Sequence, residues 1–172
     1  MDCVIFGFDF EKLNVLLVER TLADEKTGKT LFTDYTLAGN HVYDDEDLYS
    51  AAERVLFDLT GLENIYLEQF QTFGHPDRLS KQKDILWLKS LGMNPENRII
   101  TVAYYSLVNI NEVIIQEKGR KIFWHPIEEP IPLAFDHDVI ISRALDALRN
   151  KIRTNPIGFK LLPPKFTLSQ LQ

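Results

Sequence analysis

The side chains able to do chemistry crowd around one segment of this 172-residue chain. Asp44, Asp45, Glu46 and Asp47 run into a stretch that carries Glu53, Arg54 and Asp58. Carboxylates three and four residues apart on a helix share a face, where their oxygens can hold a hard divalent cation. Asp58 has aliphatic Val55 and Leu59 beside it, and Glu53 points away from that side. One carboxylate on a helix face cannot build a multi-ion cluster, although Glu46 and Glu53 could add weak ligands. His41 lies in the loop before this helix, placed to touch a ligand or simply to be solvated. In the turn His75-Pro76-Asp77-Arg78, Asp77 could accept sugar hydroxyls and Arg78 could hold a phosphate or carboxylate. A capped turn with an internal ion pair explains the same four residues equally well. Arg20 and Tyr35 flank the loop ahead of the acidic run and could border a pocket. His125 and His137 match no metal-ligand spacing and are expected to satisfy local backbone groups.

Other chemistries find no support. There is no glycine-rich phosphate loop and no Gly-x-Ser-x-Gly elbow. The single cysteine, Cys3, sits in an apolar alternating run and reads as a buried strand residue rather than a nucleophile. It also rules out an internal disulfide or a multi-cysteine zinc site. Trp87 and Trp124 read as packing residues.

The elements that must position these groups follow from periodicity. Val4–Phe8 and Leu13–Val18 are β-rich runs around the polar turn Asp9–Lys12, which predicts a hairpin. Residues 23–29 read as a loop and Thr33–Leu37 as a short strand. Leu48, Ala51, Ala52, Val55, Leu56 and Leu59 then form one helical stripe. An acid among Asp44–Asp47 caps its start, and Gly61 suits a left-handed C-terminal cap. Strands are expected over Ile65–Phe73 and Arg98–Asn109, with shorter ones at Val113–Ile115 and Lys121–Trp124. Residues 79–97 read as an insertion or lid containing a short helix. Asp136 is expected to cap a second long helix whose apolar side is Val139, Ile140, Leu145, Leu148 and Ile152. Alternating strands and helices of this kind indicate an α/β or α+β domain on a mixed sheet.

Composition agrees with one domain of ordinary size. Hydrophobic residues make up 45% and charged residues 26%, as in soluble globular proteins. A formal charge of -6 disfavours general binding to nucleic acid or an anionic membrane. No run approaches the ~18 apolar residues of a spanning helix, and the N-terminus lacks a basic signal region. A cytoplasmic location is expected.

The segment Leu37-Ala38-Gly39-Asn40-His41-Val42-Tyr43-Asp44-Asp45-Glu46, the helix, and Asp58-Leu59-Thr60-Gly61-Leu62 together resemble the Nudix box. Anchoring on Gly61 places Arg54 on the motif arginine and Glu46 on its early glutamate. Asn40 falls where the first glycine belongs, beside Gly39. The three metal-binding glutamates of the family correspond to Val55, Asp58 and Leu59, so two of the three are aliphatic here. The resemblance implies an α/β/α Nudix-like sandwich with a mixed sheet. In the family, metal orients a water and neutralises charge on a diphosphate. Val55 and Leu59 instead suit an architectural helix.

A degenerate box on a kept scaffold is similar to the Nudix-related transcriptional regulators. Ala103–Leu107, the Phe123-Trp124-His125-Pro126 turn, Leu133–His137 and the tail from Gly158 to Gln172 also resemble that family. The resemblance implies an effector-binding domain over residues 1–154. Residues 155–172 would be the linker and first part of a winged helix-turn-helix, which needs about 50 more residues. Implied partners are a small polar effector, a second copy in a homodimer, and DNA only through that absent C-terminal domain. Acidity around the box favours a neutral sugar over a nucleotide metabolite such as ADP-ribose. No cofactor is expected. The alternatives are a Nudix hydrolase with a displaced Mg or Mn site, and a purely structural or interaction module.

Overall fold

A computed structural model describes residues 1–154, and the expected linker and winged-helix start at 155–172 lie outside them. The alternation of Cys3 and Ile5 with Val4 and Phe6 decides the architecture. These residues form β1 (Asp2–Phe8), whose two sets of side chains enter two different cores. A strand buried on both faces must lie at the centre of a sheet. Accordingly β1 pairs antiparallel with β2 (Leu13–Ala23) and with the two-residue β4 (Ala38–Gly39), and parallel with β6 (Thr101–Asn109). The sheet runs β3-β2-β1-β6-β5, with β3 at Thr30–Thr36 and β5 at Glu68–Phe73. A seventh strand, β7 (Ile122–Pro126), pairs with β2.

One face of the sheet carries α1 (Leu48–Thr60), through Ala52 and Leu56 packed on Cys3, Ile5, Leu16 and Tyr104. The other carries α3 (His137–Thr154), through Ile140, Ile141, Ala144 and Leu148 packed on Val4, Phe6, Val15 and Leu17. The result is the expected α/β/α sandwich with a mixed sheet. Residues 79–97 contain one short helix, α2 (Gln82–Ser90), followed by Gly92 at φ 73°.

Three expectations about elements are corrected. Val113–Ile115 is not a strand: Val113 and Ile115 cover the α1-side core as a loop, tied down where the Gln116 amide donates to the Thr60 carbonyl at 2.9 Å. The strand expected from Ile65 begins only at Glu68, although Ile65 and Leu67 still pack into the core. In α3, Val139 and Ile152 are 47% and 44% exposed, so the buried stripe is His137, Ile140, Ile141, Ala144 and Leu148. Asp136 does precede α3, and its carbonyl accepts from Val139 and Ile140, but its carboxylate is taken by Arg78.

Candidate functional site: the box helix and the cavity beside it

Local sequence sets the box helix. Asp47 accepts from the amides of Tyr49 and Ser50 at 2.8 and 2.9 Å, satisfying donors that the first turn leaves free. The helix ends at Gly61, in the left-handed region at φ 72°, with its amide bonded to the Phe57 carbonyl at 2.8 Å. A Cβ there would also meet Gln116 at 2.8 Å, so two constraints select glycine. Gly39 has a different reason. A Cβ at Gly39 would lie 2.2 Å from Asp2 Oδ1, because β4 runs against the start of β1.

Arg54 closes the box loop onto its helix. Its Nε donates to Glu46 Oε2 at 2.7 Å and its Nη2 to Glu46 Oε1 at 2.5 Å and to the His41 carbonyl at 2.8 Å. The guanidinium stacks 3.9 Å from the Tyr43 ring centroid. Hydrogen bonding to Arg54 holds the Glu46 carboxyl down at about 2, well below the ordinary glutamate value of 4.5. Asp58, 54% exposed, reaches the same guanidinium at 3.6 Å. Val55 is fully buried and Leu59 packs partly buried against the same core. The residues at the family's metal positions therefore do not fit Mg or Mn: two are aliphatic, and of the nearby carboxylates Glu46 is committed to Arg54. Among the described residues, no group of three His, Cys, Asp or Glu side chains is placed to hold a metal ion.

Beside the box loop lies a cavity of about 460 Å³, walled by β1, β2, the box loop, α2 and the segment before α3. Of the five side chains expected to contact a ligand, Arg20, His41 and Arg78 line it. Tyr35 does not; its ring packs edge-to-face on Phe123, 5.1 Å between centroids, in the α3-side core. Asp77 does not either, being 82% exposed and facing His75 at 3.8 Å on the turn. The turn is capped by His75, as the bland reading of that motif held, while Arg78 leaves it for a distant partner.

Arg78 is 7% exposed, donates twice to Asp136 from Nε (3.0 Å) and Nη2 (2.8 Å), and approaches Asp2 at 3.9 Å. His137 Nδ1 accepts from the Leu37 amide at 3.1 Å, which leaves the ring proton on Nε2, 3.5 Å from Asp2 Oδ1. Burial alone would raise the Asp2 carboxyl, but His137, the chain's amino terminus and Thr101 outweigh it and hold Asp2 far below the usual range.

Arg20 is 2% exposed and forms a fork onto Asp34, with Nε–Oδ1 and Nη2–Oδ2 both 2.7 Å. Its Nη2 also donates to Asp84 Oδ1 at 2.6 Å. Phe32, Trp87 and Phe135 surround the guanidinium at 5.2, 5.3 and 4.9 Å. Burial pulls the Arg20 pKa down, and the two carboxylates more than restore it. As site residues, Asp34, Asp84, Trp87, Phe135 and Asp136 escaped sequence reasoning because each takes its role from a partner on another element, and Arg120 because only the fold brings it to the cavity.

With this geometry in hand, comparison with known proteins is informative. No family model matches the chain. It is 29% identical over 177 residues to the ADPR responsive transcriptional repressor NtrR of Acinetobacter baylyi. That match takes in 100% of this chain and 62% of the relative, so the chain spans under two thirds of that protein's length. The Nudix domain of Shewanella oneidensis NrtR, solved in complex with ADP ribose, superposes with a TM-score of 0.63 at 25% identity. It covers 86% of this chain and 85% of that one. The same organism's NrtR in complex with a 27mer DNA gives 0.64 at 27% identity, over 99% and 71%. In the described residues no helix is long and apolar enough to cross a membrane. With the box frame kept from Gly39 to Gly61, the chain is a Nudix-like domain, and the family it is similar to is that of the Nudix-related transcriptional regulators.

Proposed function

We propose that this chain is the effector-binding part of a cytoplasmic bacterial transcriptional regulator, and that it binds its effector without metal-dependent hydrolysis. One observation carries the reading. At the box positions where hydrolysis needs carboxylates, Val55 is fully buried and Leu59 packs in the core, while Glu46 and Asp58 are held by Arg54. The cavity beside the box loop, with Arg20, His41 and Arg78 in its wall, is the proposed effector site. Its size suits a small ligand.

Sequence alone favoured a neutral sugar. The similarity to regulators described as responding to or binding ADP ribose makes that nucleotide-linked sugar the first effector to test. DNA contact would require a further domain, and a homodimer would set the spacing of two such domains.

Titration of the protein with ADP-ribose, ribose and glucose by calorimetry, with and without Mg²⁺ or Mn²⁺, tests the proposal. The expected result is saturable ADP-ribose binding with the ligand recovered intact. Metal-dependent cleavage abolished by Asp58→Ala would replace this reading with the hydrolase one. An absence of binding by all three ligands would count against a sensor of this class.

A further inference from the structure

We propose that Arg120 is the residue that reads the effector's anionic group, so that the cavity selects a phosphate-bearing, nucleoside-like ligand over a neutral sugar. The inference rests on the effector site proposed above. The charges in the cavity wall lead to it. Arg20 is forked onto Asp34 and bonded to Asp84, and Arg78 is forked onto Asp136. His137 spends one ring nitrogen on the Leu37 amide and turns the other toward Asp2. Lys81 and Lys83, nearby on α2 and its approach, reach the carbonyls of Phe135 and Leu133, and Lys83 also meets Asp34 at 2.5 Å. Each of these cations has a protein partner before a ligand arrives, although Arg20 Nη1 itself makes no hydrogen bond among the described residues.

Arg120 differs. It lines the same cavity, is exposed, and has no hydrogen bond or ion pair among the described residues. Its neighbours are committed: Lys118 donates to the Phe57 carbonyl at 3.0 Å and Lys121 lies 3.7 Å from Glu19. The loop is therefore fixed on both sides of Arg120. At the chain end nearer α1 it is also held by the Gln116–Thr60 bond of 2.9 Å. Between these anchors Gly119, at φ 79°, makes the left-handed turn that precedes Arg120.

The rest of the wall says what accompanies the anion. Leu91 and Ile100 are 54% and 56% exposed, and Trp87 and Leu88 line the cavity beside them. Exposed apolar surface of this kind suits a flat ring or the apolar face of a sugar. In a molecule of formal charge -6 an anionic ligand meets general repulsion, so an exposed cavity guanidinium without a carboxylate partner among the described residues favours admitting such a ligand. A guanidinium fits phosphate oxygens through paired N–H donors.

The test compares ADP-ribose, ribose 5-phosphate and ribose, by calorimetry at low and high salt, on the whole chain and its Arg120→Ala and Arg120→Lys variants. Loss of a charge-assisted contact is expected to weaken ADP-ribose about tenfold or more in Arg120→Ala. Arg120→Lys should recover part of that loss, ribose binding should not change, and the salt dependence of ADP-ribose binding should flatten. Equal ADP-ribose affinity in wild type and Arg120→Ala overturns the assignment of Arg120 and leaves the effector site standing. Parallel loss of ribose and ADP-ribose also overturns it, since Arg120 would then be acting on the shape of the site. Failure of ADP-ribose to bind even the wild type overturns the effector reading and this assignment with it.

Discussion

Arg20 and Asp84 are 64 residues apart in the chain, yet their side chains meet at 2.6 Å with 1% and 0% of their surfaces exposed. The contact joins α2 to the sheet. The other Asp84 oxygen accepts the Phe135 amide at 2.9 Å, so the same carboxylate also fixes the turn before α3, where Phe135 holds φ 50°. Trp87, one turn along α2, stacks on the Arg20 guanidinium and lines the cavity. One buried ion pair thereby positions the α2 wall of the proposed effector site.

Removing that carboxylate should be costly. Asp84→Ala leaves Arg20 with Asp34 as its one carboxylate and strands the Phe135 amide, and losing a hydrogen bond to a buried charged group costs about 1.5–3 kcal/mol. Urea unfolding should show a loss of that order, with faster amide exchange in α2. Asp84→Asn, which keeps an acceptor, should lose less. A change below about 1 kcal/mol for the alanine variant would mean that the contact is no stronger than a surface pair.

The Glu46–Arg54 clasp should be visible in acid. Glu46 titrates near 2 in the folded protein because Arg54 bonds its ionised form, against an ordinary value of 4.5. A depressed carboxyl stabilises the fold above its unfolded value, and this contribution fades as pH falls from about 4.5 through 2. Carboxyl-resolved NMR titration should find Glu46 ionised at pH 3 in the wild type. In Arg54→Ala its midpoint should move up toward 4.5, and stability between pH 4.5 and 2 should depend less on pH. An unchanged midpoint in the variant would show that another group holds the carboxylate.

Restoring box carboxylates one at a time should have unequal consequences. Val55→Glu would bury an unpaired charge at a fully enclosed position and cost several kcal/mol or prevent folding. Leu59→Glu, at a partly buried position, should cost less and leave a folded domain. Thermal unfolding of the two variants measures the difference. Equal melting temperatures would show that position 55 has access to water that its burial does not suggest.

Much of the box was legible without the fold. The stripe from Leu48 to Leu59, a cap among Asp44–Asp47 and the left-handed Gly61 all depend on neighbours within about one helical turn. The structure makes Asp47 the cap, keeps Gly61 left-handed and buries Ala51, Ala52, Val55 and Leu56, while Leu48 is 41% exposed and Leu59 only partly buried. The helix expected in α3 was also correct, but its buried side was misphased at Val139 and Ile152. A helix with apolar residues on more than one side leaves its orientation to whatever it packs against. Tyr35 was placed beside a pocket for a similar reason. Neighbours on a strand face opposite ways, and only pairing with β2 and contact with Phe123 put its ring in the α3-side core.

By itself, the sequence determined the first hairpin, the two long helices, the Gly39–Gly61 frame, and the replacement of two expected carboxylates by Val55 and Leu59. Those features are written in short-range spacing, which local backbone geometry converts directly into structure. Only the tertiary structure decided that Arg20 faces Asp84, that Arg78 leaves its turn for Asp136, and that Arg120 reaches the cavity unmatched. Such pairings join residues across 58 and 64 positions. They are fixed by sheet register and by how α2 and α3 dock, and no local pattern encodes either.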